Sequence, residues 1–133
     1  MKRLTVMGLA CLLSACQSNL ADLLPSKPDK VADFPAAVAD LSDCTHRATY
    51  SMTSPYLFRL IARADNREFL ITATETSEQT LRPTLATFEL HFMANGKTTR
   101  VEMRESAIGD PSLSREIWSI VERCSQRVAL ARP

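Results

Sequence analysis

Glycine is scarce in this sequence: the 133 residues contain only Gly8, Gly96 and Gly109. Loops that cradle nucleotide phosphates need closely spaced glycines, so a phosphate-binding loop of that kind is excluded. The Gly-x-Ser-x-Gly turn that carries a nucleophilic serine is missing as well. Acidic pairs such as Glu75 and Glu78 are typical of a solvated surface. We therefore expect a protein that is not an enzyme and that needs no cofactor.

A large excess of charge of one sign is also absent. The chain has 16 basic and 15 acidic side chains, a formal net charge of +1. Without Lys2 and Arg3, which lie in an N-terminal segment considered below, the chain has 14 basic and 15 acidic side chains. Nucleic-acid binding relies on clustered cations that displace counterions from phosphates, so no nucleic-acid partner is expected. With 45% hydrophobic residues, the chain suits one small folded domain.

No hydrophobic run in the sequence is long enough to cross a bilayer as a helix. The run from Leu4 to Leu13 covers only ten residues, whereas a spanning helix needs about 20. The run follows Lys2 and Arg3 and is followed by small residues, which is the arrangement of a secretory signal peptide. Residues 1–15 are therefore predicted to be a signal peptide that is removed.

The sequence Leu-Ser-Ala-Cys at positions 13–16 resembles the lipobox of bacterial lipoproteins. The resemblance implies that Cys16 begins the mature chain and carries a diacylglycerol and acyl chains such as palmitate. Several chains anchor stably, because each buried methylene contributes about 0.8 kcal/mol. In this family Gln17, in place of an aspartate, implies delivery to the outer membrane, on its periplasmic side. Cys11 is disfavoured as the lipid site because no branched residue stands three positions before it.

The mature chain divides into a tether and one domain. Residues 16–32 are rich in proline, serine and charged side chains, a composition that favours an extended lipidated tether. Residues 33–133 are predicted to form a small α+β domain in the order helix, hairpin, hairpin, helix. The expected architecture is a four-stranded antiparallel sheet of two hairpins, with the N-terminal and C-terminal helices on one face.

Two amphipathic helices are predicted at the ends of this domain. The first runs from Asp33 to about Thr49, and its apolar stripe recurs at steps of three and four residues: Phe34, Val38, Leu41, Cys44 and Ala48. The second has Asp110 as its cap and Pro111 at its first position. Its apolar stripe is Leu113, Ile117, Ile120, Val121, Cys124 and Val128, with Trp118 beside it. Cys44 and Cys124 therefore both face the core.

The first predicted hairpin turns at Asp65-Asn66. Its register places three apolar pairs on one face: Ala62 with Phe69, Leu60 with Ile71, and Phe58 with Ala73. Arg63 then meets Glu68 on the other face. Ile61 and Leu70 interrupt this polar face, which indicates that the hairpin is covered on both sides or lies centrally in the sheet.

The second predicted hairpin has a two-residue turn at Asn95-Gly96. Its register also places three pairs on one face: Phe92 with Thr99, Leu90 with Val101, and Phe88 with Met103. A shift by one residue would expose this apolar set to water. On the opposite face, His91 then lies beside Arg100 and Glu89 beside Glu102.

Cys44 and Cys124 remain once the signal is removed and Cys16 is acylated. Exported proteins meet an oxidising compartment, so an inward-facing pair favours a disulfide that joins the two helices. Two unlinked buried thiols are one alternative. A zinc site that also uses His46 and His91 is another, but residues 44 and 46 of a helix point about 200° apart. His91 is also predicted on the polar sheet face, so no metal site is expected.

The sheet face opposite the helices carries the candidate binding residues: Arg59, Arg63, His91, Arg100 and Arg104. They would form a cationic patch, while a merely solvated face is the simpler interpretation. Small lipoproteins with an anchor, a tether and a disulfide-linked domain resemble assembly factors and secretion pilotins, an analogy of architecture alone. The sequence therefore favours a non-catalytic protein held in the outer membrane that binds another envelope component. A small-ligand-binding or inhibitory periplasmic module is the alternative.

Overall fold

The computed structural model describes residues 24–52, 56–75, 86–106 and 110–131. In these ranges the elements are β1 (Lys30–Phe34), α1 (Val38–Tyr50), β2 (Tyr56–Arg63), β3 (Glu68–Glu75), β4 (Ala86–Asn95), β5 (Thr98–Glu105) and α2 (Pro111–Leu130). The strands form one antiparallel sheet in the order β1-β5-β4-β3-β2. The predicted α+β class is confirmed, but the sheet has five strands instead of four. The predicted signal peptide, residues 1–15, and the lipid site Cys16 lie outside the described residues.

β1 is the strand that the sequence pattern does not predict, and it pairs along β5. The predicted tether, residues 16–32, is therefore too long, because its last three residues belong to β1. The helix start predicted at Asp33 is wrong as well, because Asp33 lies in β1 and α1 begins at Val38. The local reason is that Phe34 precedes Pro35, and a residue before proline is disfavoured in the helical conformation. Phe34 therefore ends a strand.

The segment just before β1 also follows the edge of β5. The backbone N–H of Asp29 donates to the carbonyl oxygen of Met103 at 2.8 Å, and the N–H of Glu105 donates to Asp29 Oδ2 at 2.7 Å. Leu24 and Pro25 are half-buried. The chain is therefore held against the domain from a point well before the predicted boundary at residue 33.

Both helices pack on one face of the sheet, as predicted. Their apolar stripes and the inward side chains of the strands form one buried core, whose largest fully buried members are Phe88, Phe92, Leu41, Ile71, Leu90 and Ile117. The Cys44–Cys124 disulfide joins α1 to α2 across 80 residues of sequence, with Cα atoms 5.8 Å apart, which confirms the predicted pairing. Trp118 ties α2 to β1, because its ring lies 5.9 Å from that of Phe34 and 4.7 Å from Lys30 Nζ.

The start of α2 is as the sequence predicts. Asp110 is the N-cap and Pro111 occupies the first turn. The Ser112 backbone N–H donates to Asp110 Oδ1 at 2.9 Å, and the Ser112 hydroxyl donates to the same oxygen at 2.7 Å. These hydrogen bonds hold the pKa of Asp110 below its ordinary value. The cap therefore stays ionised and satisfies a backbone donor that the helix leaves free.

The register predicted for the β2–β3 hairpin is confirmed. Ala62 pairs with Phe69, and the ladder continues to Tyr56 opposite Glu75. In the connecting loop, Asp65 and Asn66 have φ angles of 54° and 62°. These residue types tolerate positive φ better than most, which is why the pair was a useful turn signal.

The register predicted for the β4–β5 hairpin is wrong by two residues. The structure pairs Phe92 with Val101 where Thr99 was expected. Gly96, with φ +61°, and Lys97 form the turn, so glycine occupies the first central position that a type II′ turn reserves for it. Because side chains alternate with a period of two, this displacement leaves each side chain on its predicted face.

Cross-strand charge explains why the displaced register is favoured. In the predicted register Glu89 lies opposite Glu102, which places like charges together. In the structure Glu89 lies opposite Arg104, and His91 lies opposite Glu102. The apolar pattern is satisfied in either register, so these charge pairs distinguish the two.

Candidate functional site

The sheet face that points away from α1 and α2, called the outer face here, carries all five predicted binding residues. Arg59 and Arg63 lie on β2, His91 on β4, and Arg100 and Arg104 on β5. They do not form one patch. β3 and β4 separate β2 from β5, a distance of about 14 Å at the usual strand spacing. The outer face therefore has a β5 half and a β2 half with different properties.

On the β5 half, carboxylates neutralise the cations. Arg104 Nη2 lies 2.8 Å from Glu102 Oε2, and Arg104 Nη1 lies 3.8 Å from Glu89 Oε1. Arg100 Nε lies 3.4 Å from Glu102 Oε1. The side chain of Arg104 is only 17% exposed. Arg104 therefore holds its own strand's carboxylate and offers little surface to a partner.

The pKa of Glu102 reflects this network. Burial raises the pKa, but hydrogen bonds and charges from Arg104 and Arg100 outweigh burial and hold it below the ordinary value of 4.5. The carboxylate thus stays ionised through the neutral range. It therefore keeps its ion pairs with Arg100 and Arg104 on the β5 half.

His91 occupies a half-buried position between the two halves. Its Nε2 lies 3.1 Å from Glu68 Oε2, so the ring does not extend freely into solvent. Glu68 is also the residue opposite Arg63 in the β2–β3 ladder. The Glu68 carboxylate contacts His91. Within the described residues Arg63 therefore forms no ion pair with Glu68, although the two lie opposite each other in the ladder.

On the β2 half, four residues form what we call the β2 edge surface: Leu57, Arg59, Ile61 and Arg63. Within the described residues, neither arginine takes part in an ion pair. Leu57 is 38% exposed and Ile61 is 41% exposed, which places them among the few large apolar side chains at the surface. Apolar and cationic side chains therefore alternate along one strand.

Leu70 extends this surface toward the centre of the sheet. It lies between Ile61 and His91 in the ladders and is buried, but it does not belong to the core beneath the helices. Ile61 and Leu70 are the two residues that interrupt the polar face in the sequence pattern. In the structure they form an apolar strip beside Arg59 and Arg63, which have no ion-pair partner among the described residues.

One edge of the β2 backbone lies at this surface. Among the described strands β2 pairs only with β3, so it is an end strand of the sheet. Its eight residues contain no proline, lysine or acidic residue. The other end strand, β1, has five residues and is flanked by Pro28 and Pro35. Short length is a common protection of sheet edges, and β2 is three residues longer than β1; Pro55 precedes β2 in the sequence, but no proline lies within its eight residues.

A groove between the helices is the second candidate site. No sequence pattern indicates it, because it depends on how the helices pack. Its volume is about 630 Å³, and it is lined by Asp40, Asp43, Cys44, Arg47, Ala48, Arg127, Val128 and Ala131. On its rim Arg47 and Asp43 form an ion pair of 2.8 Å between exposed side chains. The disulfide cysteine Cys44 lies in its wall.

The histidines and cysteines considered for zinc are not brought together. Cys44 and Cys124 are consumed by the disulfide, and His91 lies on the outer face. His46 is half-buried on α1, where its ring meets Tyr50 edge-on at 4.8 Å. In the ranges that the structure covers, no group of three or more His, Cys, Asp or Glu side chains is arranged to hold a metal ion.

No protein-family model matches the chain, and a comparison with curated proteins finds no match. Within residues 24–52, 56–75, 86–106 and 110–131, no helix has the length and hydropathy needed to cross a bilayer. A functional assignment therefore depends on the residues and geometry described above.

Proposed function

We propose that this protein is a non-catalytic lipoprotein of the outer membrane whose domain binds another cell-envelope component on the periplasmic side, in an assembly or accessory role. The secretory segment and the lipobox resemblance at Cys16 support export and anchoring. The Cys44–Cys124 disulfide supports the same compartment, since disulfides persist in oxidising surroundings.

The observation that carries the binding role is the β2 edge surface. Exposed Leu57 and Ile61 alternate with arginines that have no described ion-pair partner. Aromatic side chains, methionine and arginine are enriched at protein interfaces, where an apolar centre is surrounded by polar contacts. Arginine beside exposed aliphatic side chains has this character. α1 packs against β2 from the opposite face of the sheet, so the surface faces outward.

The distance to the membrane restricts where the partner lies. The described chain begins at Leu24, and eight peptide steps separate it from Cys16. Eight residues span at most about 29 Å when fully extended. A lipidated Cys16 would thus keep the domain close to the bilayer surface, and the component it binds lies in or near the same membrane.

Crosslinking in intact cells tests this proposal. We expect the wild-type chain, purified by an affinity tag after crosslinking, to yield a discrete covalent adduct with another protein. The Cys16→Ser variant, which lacks the proposed acylation site, should yield less of that adduct because it is no longer concentrated at the membrane. Recovery of the wild-type chain without any protein adduct would contradict the proposal.

A small-ligand-binding or inhibitory module is the second candidate, because the groove between α1 and α2 has a suitable size. Its volume of about 630 Å³ lies within the range of about 300–1,000 Å³ that is usual for small-molecule sites. Ala131→Trp places a bulky ring at this groove, whereas Ala129→Trp places one at an exposed position on α2. Loss of a co-purified small molecule in Ala131→Trp alone, with protein adducts unchanged, would support the second candidate.

A further inference from the structure

We propose that the outer edge of β2, which pairs with no described strand other than β3, accepts an extended acidic segment of the partner as an additional strand of the sheet. This inference rests on the proposed function and specifies the chemistry of the partner. The juxtaposition that carries it is a backbone edge, unpaired with any other described strand along residues 57–63, beside Arg59 and Arg63.

The backbone supplies the first part of the argument. In an antiparallel pair, alternate residues direct both their N–H and C=O groups away from the neighbouring strand. Over residues 57–63 of β2, such groups form a regular row along the edge that β3 does not use and that no other described strand pairs with. An extended peptide that pairs with this row gains main-chain hydrogen bonds whatever its side chains.

The side chains supply the specificity. Arg59 and Arg63 lie on the same face, about 13 Å apart along the strand, with Ile61 between them. A strand that pairs with this edge would place carboxylates opposite the two arginines if its acidic residues are four positions apart. The residue midway between them would be apolar, because it faces Ile61. On the inner face, half-buried Leu60 favours apolar residues in the partner as well.

A second copy of this chain is a poor occupant of the edge. β2 contains Arg59 and Arg63 and no acidic residue, so pairing two β2 strands would bring cations together without a counter-charge. An anionic lipid surface would attract the same arginines, but it would not use the backbone. Charge complementarity, together with an edge that no other described strand pairs with, favours an acidic extended segment of a protein.

A peptide-binding assay tests the inference with the full chain in a non-ionic detergent. The probe is a fluorescent nine-residue synthetic peptide that carries glutamate at its third and seventh positions and valine or threonine elsewhere. We expect it to bind at least tenfold more tightly than the same peptide with lysine in place of glutamate. Equal affinity for the two peptides would overturn the charge assignment.

Backbone pairing is tested with two further glutamate peptides. One is N-methylated on its odd-numbered residues and the other on its even-numbered residues, so that in each peptide a different edge cannot donate backbone hydrogen bonds. Strand addition uses one edge of the incoming peptide, so one of these peptides should bind like the parent and the other should lose at least tenfold in affinity. Binding of both with the parent affinity would overturn strand addition. Because this comparison uses the wild-type chain, it does not depend on the folding of any variant.

Charge reversal locates the site. Arg59→Glu/Arg63→Glu should lose at least tenfold in affinity for the glutamate peptide and gain affinity for the lysine peptide, while Arg123→Glu, an exposed position on α2, should change neither. Binding of the wild-type chain to anionic phospholipid vesicles without binding of the peptide would overturn the proposal in favour of a lipid surface. Failure of the peptide with retained crosslinking in cells refutes this inference alone, whereas absence of every protein adduct in cells refutes the proposed function.

Discussion

Arg104 donates a hydrogen bond of 2.8 Å to Glu102, two residues before it on β5, and both side chains lie on the outer face of the sheet. Arg104 also lies 3.8 Å from Glu89 on β4. These contacts neutralise the β5 half of the outer face. Arg59 and Arg63 on β2 have no such partner among the described residues, so the two halves of one face differ in charge.

The network around Glu102 predicts a specific pH dependence. The pKa of Glu102 is lower in the folded state than its ordinary value of 4.5, so the unfolded chain takes up the proton first as pH falls. The stabilisation is therefore present above pH 4.5 and is lost as pH falls through the folded-state pKa. Glu102→Gln should lower the free energy of unfolding at neutral pH by about 1 kcal/mol and flatten its acid decline.

Urea unfolding at a series of pH values measures this effect. Glu116→Gln, at an exposed position on α2, is the matched control and should keep the wild-type slope. An unchanged acid slope in Glu102→Gln would show that the carboxylate is not held by the two arginines.

The disulfide is expected to be a main contributor to stability. It closes a loop of 80 residues, for which the chain-entropy treatment gives roughly 4 to 5 kcal/mol as an upper figure. Cys44→Ala and Cys124→Ala should each lower the unfolding free energy by about 3 kcal/mol or more, and the double variant should cost little beyond either one. Thermal unfolding measures the loss, and free alkylation of both thiols in the native exported protein would refute the bond.

Gly96 tests the β4–β5 turn. An added Cβ meets no atom within 4 Å, so a substitution there costs backbone strain at φ +61° and no steric clash. Gly96→Val should destabilise the domain by about 1 to 2 kcal/mol, and Gly96→Asn by less, because asparagine tolerates positive φ. Lys97→Ala should stay within about 0.5 kcal/mol. Equal losses for Val and Asn in denaturant unfolding would contradict the turn.

The anchor is tested by Cys16→Ser. We expect this variant to lose metabolic labelling by fatty acids and to leave the membrane fraction, because its hydroxyl cannot take the thioether-linked lipid. Cys11→Ser is the control and should be labelled like the wild type. Undiminished labelling of Cys16→Ser would rule out the lipobox interpretation.

The sequence predicted those elements whose signals are local. Asp110 and Pro111 marked the start of α2, and the stripes that contain Cys44 and Cys124 predicted their inward positions and their bond. β1 was missed because its partner β5 lies about 70 residues further on, and a five-residue strand has too little periodicity to be distinguished from a helix start. The position of Phe34 before Pro35 was the local signal that was available.

The two hairpins show what side-chain pattern alone determines. Alternation assigns each residue to a face, and it did so correctly for both hairpins. Alternation does not distinguish registers that differ by two residues, so the opposition of Glu89 and Glu102 should have counted against the predicted one. At the candidate site, the alternation of side chains predicted which residues lie on the outer face. It did not give their pairing, since whether Arg63 or His91 holds Glu68 depends on side-chain conformation.

The most direct test of the proposed binding surface is site-specific photo-crosslinking in intact cells. A photoreactive residue is introduced at Ile61, on the β2 edge surface, and at Glu116, at an exposed position on α2. We predict a discrete protein adduct from position 61 that disappears when Arg59→Glu/Arg63→Glu is added, and none from position 116. An adduct from position 116 with none from position 61 would contradict the assignment of the binding surface to β2.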